Sequence, residues 1–452
     1  MKGLYISAIK KSSGKTTLSI AITRLLSDEG YSVATFKKGP DYIDPMWLTL
    51  ASKRQCFNID FFFHKKNIKD YFFENANGAD FAIIESNHGL FDDIGVCGRK
   101  SNAELAKLLG LPILLVIDVS EFGRSIIPII LGILSFDKNI KITGIILNRV
   151  QNKRHENKLT SALRKYLNIP IVGVIPVNNE IKIEQRHLGL SSNLEKNEMN
   201  GKIDILSSII KKYINLNKIK NCATLIDNKS FDILNTDDKL EINGRLKNKK
   251  VGICLDKAFN FYYPNNLDII KKFSKKLYYI SPLIDEKLPD IDFLYIGGGF
   301  PELFAKILEK NEIFKAHLKK LIENGLYVYA ECGGLIYLTE EMIFRNNSYK
   351  MLGVIKSKSV FQEKPVAHGY TILKKNNDSR GNVVQLPLVL RGHEFHHFYL
   401  EELQHYDFAY KVLRGKGIKD GFDGILYKNV LANFSHIYDN ESSGLFISFV
   451  NR

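Results

Sequence analysis

Six short apolar runs punctuate the first 190 residues: GLYISAI, SVATFK, FAIIES, ILLVIDV, ITGIILN and IVGVIPV. Amphipathic segments such as TTLSIAITRLLSDEG and SNAELAKLLG lie between them. A run that is apolar on successive residues has no polar face to offer water, so it must be covered on both sides. Strands of that kind, separated by helices, build a parallel sheet with helices on both faces. Open sheets of this class bind ligands at the carboxyl ends of their strands. Function is therefore expected in the loops that follow those runs.

A chain of 452 residues exceeds one compact core. The alternation weakens after residue 192 and resumes at KVGICLD, continuing through KKLYYIS, FLYIGGG and LYVYAE. The expected division is an α/β domain at 1–192, a helical and irregular connection at 193–248, and a second α/β domain at 249–452.

The 64 Lys plus Arg against 49 Asp plus Glu give a net charge of +15. The lysines are scattered, and no stacking-aromatic or recognition-helix pattern accompanies them, so nucleic-acid binding is not expected. A small polycarboxylate substrate would benefit from the same field. No apolar run reaches the roughly 18 residues of a membrane span, and MKGLYISAIKKSSGK lacks a small-residue cleavage site. A cytoplasmic location without membrane contact is the expectation. Five scattered cysteines without a CxxC pair argue against a disulfide framework or zinc site.

Directly behind LYISAI stands KKSSGKTT. Strand, Gly-containing turn, then helix is the setting of a phosphate-binding loop, here Ser12, Ser13, Gly14, Lys15, Thr16 and Thr17. Helix-start N–H groups and the Lys15 ammonium would hold phosphates of ATP, and the Thr16 hydroxyl would help hold Mg²⁺. The glycine expected five residues before Gly14 is Ile9, with Ser12 and Ser13 small enough to line the turn. Lys10 stands where one branch of such ATPases carries a signature lysine, which leaves open a homodimer in which it reaches the partner's nucleotide. Lys37, Asp41 and Asp44 follow the second run, and Glu85, Asp92 and Asp93 the third. Carboxylates placed there would coordinate Mg²⁺ or position a reacting group.

In VYAECGGLIYL, Cys332 follows a strand and precedes Gly333 and Gly334. A nucleophile on such a turn is expected to be exposed, with neighbouring N–H groups for an oxyanion and a thiol pKa lowered by the helix start. Gly298 and Gly299 of YIGGGFPEL offer further donors. The base would be a histidine: His436 in VLANFSHIYD, or one of His393, His396 and His397 in RGHEFHHFYL. The last stretch formally matches H-E-x-x-H, but it reads as a turn or strand, not the helix that a zinc site needs.

Taken together, FKKGPDYIDP, RHLGL, DKAFNFYYPNNL, SPLIDEKLP, GGGFPEL, YAECGGLIYL and GHEFHHF resemble the signature blocks of the cobyrinic acid a,c-diamide synthase family. The resemblance spans nearly the whole chain. It implies a P-loop domain related to dethiobiotin synthetase joined to a class I-type glutamine amidotransferase domain. The implied activity is ATP-, Mg²⁺- and glutamine-dependent amidation of two acetates on a tetrapyrrole rim. Cys332 matches the glutaminase nucleophile and His436 its base, while Tyr438 stands where the usual class I triad carries Glu. Asp41, Asp44, Glu85 and Asp92 match acidic positions of the synthetase half, with Thr16, Asp41 and Glu85 toward Mg²⁺, and Lys37 matches a lysine near the reacting carboxylate. The family's common forms are closer to GTxSGxGKTT and EGVMGLYDG, against AIKKSSGKTT and ESNHGLFDD here. Both departures fall in the ATP and substrate half. They keep sirohydrochlorin or sirohaem beside cobyrinate as the implied substrate, with nickel-sirohydrochlorin third. Two other classes, a ParA-like partitioning ATPase and a non-catalytic scaffold, do not account for Cys332, His436, Lys15 and Glu85 together.

Overall fold

A computed structural model of the chain describes residues 1–64, 67–181, 183, 193–226, 249–379, 386–403, 405–439 and 444–450. The RHLGL block and most of the polar stretch 227–250 lie outside the described residues. The chain divides into two compact units, Met1–Gln185 with Lys196–Leu234, and Arg186–Glu195 with Asn235–Arg452.

The first unit contains β1 (Lys2–Ala8), β2 (Val33–Lys38), β3 (Phe57–Ile59), β4 (Phe81–Glu85), β5 (Ile113–Asp118), β6 (Ile142–Val150), β7 (Ile171–Pro176) and β8 (Thr224–Leu225). The order is β3-β2-β4-β1-β5-β6-β7 with parallel neighbours, and β8 pairs antiparallel with the start of β1. Tyr5, Phe36, Ile84 and Leu115 are buried in one layer, while Leu4, Ile6, Ile83 and Leu114, pointing the other way, are equally buried. This two-sided burial is what the continuous apolar runs demand. The helix Lys15–Asp28 follows β1 and the helix Ile43–Ser52 follows β2.

Residues 197–226, within the segment expected as a connection, belong to the first unit. Helix Asn193–Lys211 buries Met199, Ile203, Leu206 and Ile210, and Arg24 reaches Asp204 at 2.5 Å. Helix Leu216–Cys222 sets the Cys222 sulfur so close to Gly144 that a Cβ there would stand 2.7 Å away.

The second unit contains β9 (Lys250–Cys254), β10 (Lys276–Ile280), β11 (Phe293–Ile296) and β12 (Tyr327–Glu331), then β13 (Thr339–Phe344), β14 (Asn347–Lys350), β15 (Ile355–Phe361), β16 (Ala367–Lys375), β17 (Val389–His396), β18 (Phe398–Glu401), β19 (Asp407–Arg414), β20 (Phe422–Tyr427), β21 (Val430–Asn433) and β22 (His436–Ile437). The main sheet runs β10-β9-β11-β12-β21-β20-β19-β16-β17-β22, parallel from β10 to β21 and antiparallel beyond; a separate sheet orders β14-β13-β15-β18. The histidine-rich segment is the strand β17. Alternation along β11 and β12 sends Leu294, Ile296, Val328 and Ala330 into one core and Tyr295 and Tyr329 into the other. Among the described residues, no helix is long and apolar enough to cross a membrane.

Candidate functional sites

In the first unit the loop after β1 folds around a left-handed Ser12 (φ +61°) and a left-handed Gly14 (φ +89°) that caps the helix Lys15–Asp28. Gly14 is needed twice over. Its φ favours glycine, and a Cβ there would lie 2.2 Å from the Asn148 amide nitrogen. That amide donates to the Ser13 carbonyl at 2.8 Å and ties the loop to the end of β6. The turn thus closes without the glycine missing at position 9.

Lys15 folds back over the loop and donates to the carbonyl of His88 at 2.7 Å. Burial, with Lys37 nearby, lowers its pKa to about 8. Thr16 Oγ1 lies 2.6 Å from Glu85 Oε1 and 3.1 Å from Asp44 Oδ2. Lys37 Nζ sits between the same carboxylates, 2.6 Å from Asp44 and 2.7 Å from Glu85. Burial opposes the Lys37 charge, but Asp44 and Glu85 outweigh it and hold its pKa up. Burial pushes the Glu85 carboxyl up, against the pull of Lys37.

Asp41 stands one step behind. It accepts from the Asp44 N–H at 2.9 Å, and burial beside Asp44 raises it to about 7. Asp44 therefore meets Thr16 and Lys37 where Asp41 was expected. Asp92 accepts from the Gly89 N–H at 2.7 Å and acts on Lys15 through its charge. Lys10 is half exposed, 4.0 Å from Asp118, which Arg149 already holds at 2.6 Å. Two carboxylates around one ammonium leave an excess of negative charge, and Glu85 Oε2 is buried with no hydrogen-bond partner among the described residues. That donor set fits Mg²⁺, which takes one or two protein carboxylates and completes its shell with phosphates and water.

In the second unit Cys332 joins β12 to the helix Gly333–Leu338 with φ +46° and ψ −98°, a backbone region that costs an L-residue of order 1–3 kcal/mol. Its N–H donates to Asn433 on β21 at 2.8 Å. The expected exposure is not found: the residue is only 7% exposed. Burial, with Glu302 nearby, pushes the thiol pKa well up, overriding the Gly333 N–H, so the expected lowering is reversed. His436 is buried too, and burial with His393 and His396 nearby lowers it to about 3. At rest both groups are neutral.

The glycine run after β11 makes room for both. A Cβ on Gly298 would stand 2.2 Å from His436 Cε1, and one on Gly333 would stand 3.1 Å from the Gly299 nitrogen. The His436 imidazole and the turn after Cys332 therefore both lie against the glycine run. Of the other histidines, His393 pairs with His436 across β17 and β22, and His396 stacks on Phe434 with ring centres 4.0 Å apart. Tyr438 is buried with its ring against Tyr263.

The residues that sequence reasoning passed over are Glu331, Tyr295 and Tyr329. Tyr329 and Glu331 share a face at i, i+2 of β12, and pairing with β11 sets Tyr295 beside Tyr329. Both hydroxyls donate to the Glu331 carboxylate at 2.7 Å. A charged residue closing an otherwise buried strand, YVYAE, was the available signal.

Residues 4–190 match the family model of the CobQ/CobB/MinD/ParA nucleotide binding domain, and residues 250–443 that of the CobB/CobQ-like glutamine amidotransferase domain. The chain is 38% identical to the cobyrinate a,c-diamide synthase of Magnetococcus marinus over 96% of its own length and 93% of that protein. It is 36% identical to the synthase of the same name from Archaeoglobus fulgidus, over 99% and 97%. The corresponding figures for the Methanocaldococcus jannaschii synthase are 37%, 96% and 96%. Two matched domains in this order, with full-length identity above one third, place the chain in the cobyrinate a,c-diamide synthase family.

Proposed function

We propose that this chain amidates the a- and c-acetate carboxylates of a tetrapyrrole, using ATP and glutamine, with cobyrinate as substrate. Residues 1–192 carry the amidoligase and residues 249–452 the glutaminase. The observation that carries the reading is the close approach of His436 to Gly298 and of Gly333, the residue after Cys332, to Gly299, in a relative of enzymes named for this diamidation.

A carboxylate is a poor electrophile, and phosphoryl transfer from ATP converts it to an acyl phosphate. Lys15 and Lys37 offset the negative charge that gathers there. Thr16 and Glu85, with Asp44, would hold Mg²⁺, whose chemistry is charge neutralisation on the phosphates. In the second unit His436 takes the Cys332 proton as the sulfur attacks the glutamine amide carbon. The Gly298, Gly299 and Gly333 region receives the oxyanion. His436 then returns the proton to the departing ammonia, a thioester remains, and water releases glutamate. Ammonia displaces phosphate from the acyl phosphate and forms the amide.

A second reading, the same chemistry on sirohydrochlorin or sirohaem, has one observation in its favour. Ser12 and His88, each within a loop that departs from the common motifs, are left-handed, and the His88 carbonyl accepts from Lys15. The test offers cobyrinate, sirohydrochlorin and sirohaem in parallel with ATP, Mg²⁺ and glutamine, read by mass spectrometry. A gain of two amides on cobyrinate supports the first reading, and a gain on sirohydrochlorin or sirohaem alone moves the assignment. Cys332→Ala should abolish glutamine use while keeping amidation from free ammonia; retained glutamine-dependent activity would refute the nucleophile.

A further inference from the structure

We propose that Glu331, the residue immediately before the nucleophile, is the carboxylate that orients His436 and stabilises its protonated form. The inference rests on the Cys332–His436 reading of glutamine hydrolysis given above. A base histidine is held in one tautomer by a third group on its far nitrogen. In this chain the position two residues after His436 is Tyr438, whose buried ring packs on Tyr263. A carboxylate reaches the imidazole from another direction: Glu331 Oε2 lies 3.8 Å from His436 Nδ1, with both side chains almost wholly buried.

The carboxylate is fixed from several sides. Oε1 accepts from the Ile437 N–H at 2.8 Å and from the Tyr329 hydroxyl at 2.7 Å, and Oε2 accepts from the Tyr295 hydroxyl at 2.7 Å. The Ile437 bond grips the backbone of the residue next to His436. Glu331 thus links nucleophile and base: one peptide bond joins it to Cys332, and one hydrogen bond joins it to the strand that carries the imidazole. A separation of 3.8 Å is longer than a hydrogen bond, and Oε2 retains a lone pair beside the Tyr295 contact. A closure of under 1 Å would make the bond, as free-enzyme contacts of this kind do on binding substrate.

The chemistry requires such a group. Neutral thiol and neutral imidazole become thiolate and imidazolium in a site that excludes water, so the new cation needs an anion beside it. Glu331 supplies that charge and takes no proton; the proton goes from Cys332 to His436 and on to ammonia. The titratable groups around the pair are Tyr295 from β11, Tyr329 from β12, Asp439 beyond β22, and His393 and His396 of β17, which act on His436. Burial raises the Glu331 carboxyl to about 7, and its hydrogen bonds work against that rise. Glutaminase turnover should therefore fall on the acid side of about pH 7.

The test measures glutaminase kcat and KM against pH in the full-length enzyme. Glu331→Gln should lower kcat by about 10²–10⁴-fold with little change in KM for glutamine, and Glu331→Asp should recover part of it. Tyr295→Phe removes one donor to the carboxylate, so the acid limb should move to higher pH in a protein of near-normal thermal stability. A group serving only as a structural acceptor would leave that limb in place. A folded Glu331→Gln protein with kcat within twofold of the parent would overturn the inference, as would an unmoved acid limb in Tyr295→Phe. If Glu331→Gln does not fold, the Tyr295→Phe profile decides. Cys332→Ala keeps the two levels apart. Persisting glutaminase there would sink the Cys332–His436 reading itself, whereas its loss beside an active Glu331→Gln protein would sink the role of Glu331 alone.

Discussion

The two units bury charge in opposite ways. Around the phosphate loop, Lys37 is clamped within 2.7 Å of both Asp44 and Glu85, so an ion cluster stands there before any ligand arrives. Around Cys332, burial pushes the thiol up and the imidazole down, so neither of these two groups is charged until a proton moves between them. The difference fits the role proposed for each site. A site for phosphates and carboxylates faces anions at every stage, so preformed cations and a cation-binding carboxylate are useful throughout. A site for the neutral glutamine amide faces charge only in the transition state, and a standing ion pair there would stabilise the ground state as well.

The comparison breaks most sharply at Lys37. Lys37→Met leaves Asp44 and Glu85 buried without their cation, which should cost about 3–5 kcal/mol and reduce ATP-dependent amidation by at least about 10³-fold. Glutaminase turnover should survive in whatever fraction folds; equal loss of both activities in folded protein would contradict independent sites. Gly298→Ala comes next. Its Cβ would overlap His436 Cε1, so glutaminase kcat should fall by on the order of 10²-fold, with a stability loss of about 1–3 kcal/mol, while ammonia-dependent amidation persists.

The smallest effect concerns protons. Burial lowers His396 to about 4, against about 6.5 in the unfolded chain. Its contribution to stability is therefore fully present above pH 6.5 and is lost as pH falls toward 4. His396→Phe should gain about 2 kcal/mol on the parent between pH 7.5 and 5, measured by denaturant unfolding at both values. A pH-independent gap between the two proteins would mean that the imidazole is not held neutral.

Much of this was legible in the chain. The apolar runs gave the strands from β1 to β12 apart from the three-residue β3 and the two-residue β8, and KKSSGKTT and AECGG stand at strand ends as their glycines implied. The misreadings share a physical cause. Cys332 was expected to be exposed with a lowered pKa because strand-end and helix-start effects are local, whereas burial depends on the whole unit. Asp41 and Asp44 are equivalent as letters. Which one faces Thr16 is decided by the start of the helix Ile43–Ser52, where Asp41 turns back to accept from the Asp44 N–H. Glu331 stayed hidden because its partners Tyr295 and Ile437 are 36 and 106 residues away in sequence.

The backbone at Cys332 carries one last consequence. With φ +46° and ψ −98°, that position would suit glycine better than any residue bearing a side chain. On the proposed role of Cys332, the chain keeps its sulfur at a point where the most comfortable substitution would erase function. Substitutions that relax this turn would be favoured for folding and eliminated for activity, so stability and turnover are set against each other at a single residue.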